Sequence, residues 1–286
     1  MPDETVRPPR PELLALLDAI KDHPDDDTPR LVLADWLDEQ DDALDADRAR
    51  LIRSDIEFHR GAKLRLAERP LDGSLFKRWL GPVADLGSGR FERGLPVLSV
   101  RAPRLLKAGA AALLATEAFA FVPFVHLEEA GGSRLEAMAA LPEFRFVPGI
   151  RAHPFTAPGV RSSARFFGSP NLSGLRHIEF RGVRPGAVRM QALAANPALA
   201  RLRKLNLAHN RLVDKAAVAL AASPHLANLT HLDLSDNLIG DAGAEALAAS
   251  KVFPNLREFD LRENPRLTAH GKQLLRDTFG VRLKLV

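Results

Sequence analysis

The sequence predicts an α/β fold in which an N-terminal helical module is followed by a curved solenoid, with a parallel sheet on the concave face and helices outside. Three observations carry this expectation. Segments beginning at Leu202 (LRKLNLAHN), Leu229 (LTHLDLSDN) and Leu256 (LREFDLREN) share the pattern L-x-x-L-x-L-x-x-N at a spacing of 27 residues. Between them lie stretches such as DKAAVALAASPHLANL, with alanine and leucine at helical spacing. The first third of the chain instead reads as a run of short amphipathic helices rich in aspartate. The 286 residues are 46% hydrophobic and 27% charged, which fits a folded chain. The absence of cysteine excludes disulfides, zinc-thiolate sites and thiol nucleophiles together.

In the N-terminal module, Pro11 takes a first helical position, and Leu13, Leu14, Leu16, Leu17 and Ile20 form one apolar face. A second helix starts with Thr28 as N-cap and Pro29 as first residue, and presents Leu31, Leu33, Trp36 and Leu37. A third runs from about Asp45 into Arg65 with Leu51, Ile52 and Ile56 inward. A fourth, shorter helix includes Leu75, Phe76, Trp79 and Leu80. Asp25, Asp26 and Asp27 lack the alternating ligands and distal glutamate of a calcium loop, and suit the positive end of the second helix instead.

Seven candidate repeats come next, three of them strong. LRHIEFRGV from Leu175 keeps the spacing but has Val183 in place of asparagine, and LPVLSV from Leu95, VPFVHL from Val122 and VPGIRA from Val147 keep only the apolar positions. In each, the fourth and sixth residues point into a core while the third, fifth and seventh point out, as in a short strand. Asn210, Asn237 and Asn264 recur where the chain leaves the strand, so three equivalent copies predict a structural ladder. The module should occupy residues 1–90 and cap the repeats of 91–286, of which the first three are degenerate. Prolines 154, 158 and 170 predict an irregular segment between His153 and Gly174, and Gly87-Ser88-Gly89 and Gly131-Gly132-Ser133 read as turns.

From about residue 175 onward these repeats resemble the ribonuclease-inhibitor-like class of leucine-rich repeats, IGDAGAEALAAS from Ile239 above all. That resemblance implies a curved solenoid that binds protein through its concave face. The run LLDAIKDHPDDDTPRLVLADWLDEQDDALDADRARLIRSDIE is similar to the repeat-companion domain, a short bacterial helical module found ahead of such repeats. WLGPVADL from Trp79 and FERGLPVLSV from Phe91 resemble the segments that come after that module in the family. This second resemblance implies an architecture without a reaction.

No sequence pattern for a catalytic, cofactor or metal site is found: there is no H-E-x-x-H helix, phosphate loop, nucleophile elbow or dinucleotide fingerprint. The expectation is therefore a non-enzymatic macromolecule-binding scaffold. Its outward strand positions, roughly 21 over seven strands, match the size of a standard protein interface. They include Phe124, His126, Arg151, His177, Glu179, Arg181, Lys204, Asn206, His231, Asp233, Glu258, Asp260 and Arg262, basic in the middle repeats and acidic toward the C-terminus. Nucleic acid is the alternative partner, because residues 143–189 hold eight arginines interleaved with Phe144, Phe146, Phe155, Phe166 and Phe167. Residues 1–60 carry 17 acidic and 8 basic side chains, so the net charge of +4 hides an acidic module ahead of a basic remainder. A GTPase-activator type of enzyme regulation rests on analogy alone. The N-terminus has no secretory pattern and no window is apolar enough to span a bilayer, which predicts a cytoplasmic protein without membrane contact. The pattern leaves the oligomeric state open.

Overall fold

The computed structural model describes residues 9–61, 73–152 and 164–285, and the chain forms two compact units, residues 1–126 and 127–286. The first begins with α1 (Pro11–Asp22), α2 (Thr28–Asp38) and α3 (Ala43–His59). Their buried faces are Leu13, Leu17 and Ile20; Leu33 and Leu37; and Leu51, Ile52 and Ile56, whereas Leu14 is exposed. The predicted extension of α3 toward Arg65 stops at His59, where Gly61 turns left-handed at φ +89°; residues 62–65 lie outside the described set. An added Cβ at Gly61 would meet nothing within 4 Å, so the left-handed backbone alone favours glycine there.

The start of α2 differs from expectation. Thr28 lies inside the helix, and its N–H donates to the Asp26 carboxylate at 2.8 Å, a bond that holds the Asp26 pKa below the ordinary value. Asp27 makes no capping bond and instead accepts from Arg93 at 2.5 Å and Arg60 at 3.1 Å. Burial opposes its ionisation, but these two guanidinium groups more than offset that and lower its pKa. Arg30 is sunk beneath this loop, its N–H bonded to the Asp26 carbonyl; burial first, then the charge of Arg93, pushes its pKa down to about 10.

The helix α4 (Gly73–Leu80) and a 3-10 turn (Gly81–Leu86) lead into β1 (Gly87–Glu92), which pairs antiparallel with β2 (Leu95–Arg101). Gly87-Ser88-Gly89 is thus strand and not the expected turn. The glycines are needed there because a Cβ on Gly87 would sit 1.8 Å from the Ser99 carbonyl oxygen, and one on Gly89 would sit 2.3 Å from the Phe76 ring. Arg93 and Gly94 make the tight turn at left-handed φ +51° and +79°, and the Gly94 N–H donates to buried Asp55 of α3 at 2.7 Å. Two short helices, α5 (Ala102–Leu105) and α6 (Glu117–Ala120), complete the unit, and β3 (Phe124–Glu128) spans its end.

The second unit repeats one motif. The helix α7 (Gly132–Ala140) begins it, with Gly131 as N-cap. The strands β4 (Gly149–Ala152), β5 (His177–Phe180), β6 (Lys204–Asn206), β7 (His231–Asp233), β8 (Glu258–Asp260) and β9 (Leu283–Lys284) then pair in parallel in that order. The helices α8 (Ala164–Phe167), α9 (Gly186–Ala194), α10 (Asp214–Ala221), α11 (Asp241–Ala249) and α12 (Ala269–Phe279) alternate with them. Leu205, Leu232 and Phe259 from the strands and Leu193, Leu220 and Leu247 from the helices are buried, so the period aligns apolar side chains of successive repeats in one core. Of the segment expected to be irregular, residues 153–163 lie outside the described set; the rest is the short α8 and a 3-10 turn, Pro170–Leu172.

Two polar ladders stitch the repeats. Asn210 donates to Phe180 O and Leu207 O, Asn237 to Leu207 O and Leu234 O, and Asn264 to Leu234 O and Leu261 O, all within 2.6–3.0 Å. Each asparagine bonds the strand end of its own repeat and of the one before. Val183 cannot donate, and Asn210 supplies the bond to that repeat's strand end. The second ladder lies outside the L-x-x-L-x-L-x-x-N pattern. Ser169, Asn196, Ser223 and Ser250, also 27 residues apart, donate back one repeat to the carbonyls of Ala139, Phe167, Ala194 and Ala221 at 2.5–2.7 Å. These bonds satisfy carbonyls at helix ends that have no intrahelical partner.

The residue preceding each ladder asparagine is left-handed: His209, Asp236 and Glu263, with Gly182 at the equivalent point before Val183. That conformation costs a residue with a Cβ about 1–2 kcal/mol. Glu263→Gly should therefore be more stable than Glu263→Val by about that amount, read from thermal melts. Equal melting points would show that the turn relaxes.

Candidate functional site

The parallel register brings the outward strand positions of the second unit into two rows. Gly149, His177, Lys204, His231 and Glu258 are successive partners in one, and Arg151, Glu179, Asn206, Asp233 and Asp260 in the other. The rows run across the strands, one strand spacing of about 4.8 Å per step. Between them lies a shallow hollow of about 170 Å³, lined by His177, Lys204, Asn206, His231, Asp233 and Asp260 among others.

Charges on this face are paired locally. Arg151 Nε donates to Glu179 at 2.6 Å across β4 and β5. Asn206 donates to Asp233 at 2.9 Å, and the other Asp233 oxygen accepts from the Ser235 N–H and hydroxyl at 2.9 and 2.7 Å. Asp260 accepts from Arg262 through its backbone N–H and its guanidinium, at 2.6–3.1 Å, which raises the Arg262 pKa. Lys284 reaches Glu258 at 2.5 Å. The acidic end therefore has its own cations, and in the second row the Arg151–Glu179 and Asn206–Asp233 bonds hold side chains in place before any partner arrives. Glu179 and Asp260 are buried, so Arg151 and Arg262 are the accessible members of those pairs.

Arg181 lies beyond the rows, donating to His209 Nε2 at 3.0 Å while His209 Nδ1 faces Asp236. Phe124 and His126 belong to the first unit; Phe124 is only 8% exposed and packs edge-on against the His126 ring at 5.4 Å.

Among the described residues, the aromatic side chains of 143–189 do not form a stacking platform. Phe144, Phe166 and Phe167 are buried in a cluster with Phe180, with ring centroids 5.2–6.4 Å apart. Phe146 is the exposed one, with Arg145 over its ring at 4.9 Å, and Phe155 lies outside the described residues. Spacing does not distinguish core phenylalanine from stacking phenylalanine. Arg176, counted among the basic residues there, is itself buried, its N–H donated to the Gly174 carbonyl at 3.0 Å.

Among the described residues no group of three or more histidine, aspartate or glutamate side chains is placed to hold a metal ion, and no helix is long and apolar enough to cross a membrane. No curated protein matches the sequence. A family model described as a leucine-rich repeat matches residues 201–221 and 225–248, the stretch of β6, α10, β7 and most of α11. With the 27-residue register and the asparagine ladder already in place over the same stretch, this part of the chain is built of leucine-rich repeats.

Proposed function

We propose that the protein is a cytoplasmic, non-catalytic scaffold that docks a protein partner on the outward face of β4–β8. In this reading the strands line the concave side of a curved, ribonuclease-inhibitor-like solenoid. A bacterial repeat-companion module over residues 1–90 precedes repeats over 91–286. The observation that carries it is the pair of in-register rows: the Arg151–Glu179 and Asn206–Asp233 bonds along one of them fix polar side chains into a pre-organised surface, which lowers the entropy cost of binding. Protein is favoured over nucleic acid because the rows mix both signs and Phe144, Phe166 and Phe167 are buried.

The partner is first captured by the full chain from lysates with and without nuclease. Lys204→Glu and Glu258→Lys then test the face, because both sit in one row with half-exposed side chains. A protein partner matched to the row should lose about tenfold or more with each variant, roughly 1.4 kcal/mol. A nucleic acid would lose with Lys204→Glu, gain with Glu258→Lys, and weaken log-linearly with salt. Two folded variants that bind like the parent would remove the face from consideration.

A further inference from the structure

The N-terminal unit contains a second, unrelated arrangement. Arg10, directly ahead of α1, lies in a slot between α2, α3 and α6. Its Nε and Nη2 donate to the two oxygens of Glu117 at 3.2 and 2.9 Å, a bidentate pairing, and its backbone N–H adds a bond to the same carboxylate at 3.1 Å. Nη1 donates to Asp45 at 2.7 Å, and the guanidinium carbon sits 4.8 Å from the centre of the Trp36 ring. Trp36, expected from its spacing to be core, is half-buried and offers that ring face.

The slot walls are fixed by other residues. Arg48, itself buried, holds Asp45 from the far side at 2.7 Å and is anchored to the Trp79 carbonyl at 2.9 Å. Thr116 caps α6 and so sets the position of Glu117 in its first turn. Beside Arg10 opens a cavity of about 550 Å³. With Arg10 set aside, its lining carries five carboxylates (Asp41, Asp42, Asp45, Asp47 and Glu117) against Arg48 and Arg78. A plain internal salt bridge needs one carboxylate and no room. Here a planar cation is met by a bidentate acid, a second acid and an aromatic face, next to open space whose walls keep an excess of negative charge.

We propose that this slot is a guanidinium-recognition site, that Arg10 is its tethered resident, and that an arginine side chain of a basic partner segment exchanges with it. A lysine ammonium cannot span both Glu117 oxygens in one plane, so the slot selects arginine over lysine. Arg10 competes intramolecularly for the slot, so an added arginine should bind the parent protein more weakly than a variant without Arg10. This proposal is independent of the strand face and survives its failure.

The test uses the full-length chain with Arg10→Ala, N-acetylarginine amide as probe and N-acetyllysine amide as control. Melting temperature should fall in Arg10→Ala and recover with the arginine probe but not the lysine one. Calorimetry should show the variant binding the arginine probe at least tenfold more tightly than the parent, because the competitor has gone. The probe should also change tryptophan fluorescence, and this change should vanish with Trp36→Phe. Adding Glu117→Gln should abolish the preference for arginine. A folded Arg10→Ala protein that binds neither probe, or both alike, or binds no better than the parent, overturns the proposal. Should Arg10→Ala fail to fold, Arg10→Lys takes its place; it keeps the charge without the fork, and absence of selective stabilisation by the arginine probe there overturns the proposal equally.

Discussion

Asn237→Ala is expected to lower the unfolding free energy by about 3 kcal/mol or more, since each buried polar group left without a partner costs about 1–3 kcal/mol. The side chain donates to the carbonyls of Leu207, Leu234 and Ser235 at 3.0, 2.9 and 3.1 Å and accepts from the N–H groups of Asn210 and Leu212 at 3.1 and 2.9 Å. It is 2% exposed, so water cannot replace these bonds without opening the turn. Asn228→Ala is the control: its side chain is exposed and donates to the Ala200 carbonyl at 2.8 Å, which predicts a loss of no more than about 1 kcal/mol. Urea denaturation of both variants reads the difference. Equal midpoints would remove Asn237 from the ladder.

Gly94→Ala should cost about 2–5 kcal/mol, combining the left-handed strain of a residue with a Cβ with overpacking against a fixed backbone. At Gly94 the chain has φ +79°, and an added Cβ would lie 2.4 Å from the Cα of Ile52, in the middle of α3. The neighbour cannot rotate away as a side-chain tip could. The same approach brings the Gly94 N–H to Asp55 and lets Arg93 reach Asp27 and the carbonyls of Pro24 and Asp25, so the β1–β2 turn is clasped by two sides of the helical module. Gly61→Ala separates the two effects. Gly61 is also left-handed, at φ +89°, but meets nothing within 4 Å, and should lose only about 1–2 kcal/mol. If both glycine variants lost the same stability, the close approach to Ile52 would carry no energetic weight.

Elements whose pattern repeats are legible in the amino-acid sequence alone. The strands at 177, 204, 231 and 258 fall where the alternation places them, and the asparagines form the predicted ladder, because each is repeated against an equivalent neighbour. The serine and asparagine ladder at 169, 196, 223 and 250 has the same 27-residue period and is legible by the same argument. It escapes a search for identical residues because Ser/Asn variation hides a constant function: one donor aimed at one carbonyl. The face residues are legible as positions but not as partners. Nothing in the spacing of Arg151 and Glu179 says that they form an ion pair, and that pair makes Arg151 a poor site for charge reversal: Arg151→Glu would place two carboxylates together where Glu179 is buried.

What the sequence determined by itself was periodic and local: helix starts such as Pro11, apolar faces, and the 27-residue register that results when similar units stack. These depend on steric and hydrophobic preferences that act over one turn or one repeat. What only the tertiary structure decided was which long-range partners each polar group meets. Asp27 left the helix cap for Arg93, 66 positions away, and Arg10 crossed 107 positions to Glu117. Gly87 and Gly89 became strand because Ser99 and Phe76 lie against them. The physical reason is common to all three. Charge pairing and close backbone approach are set by distance in space, and no local preference encodes that distance.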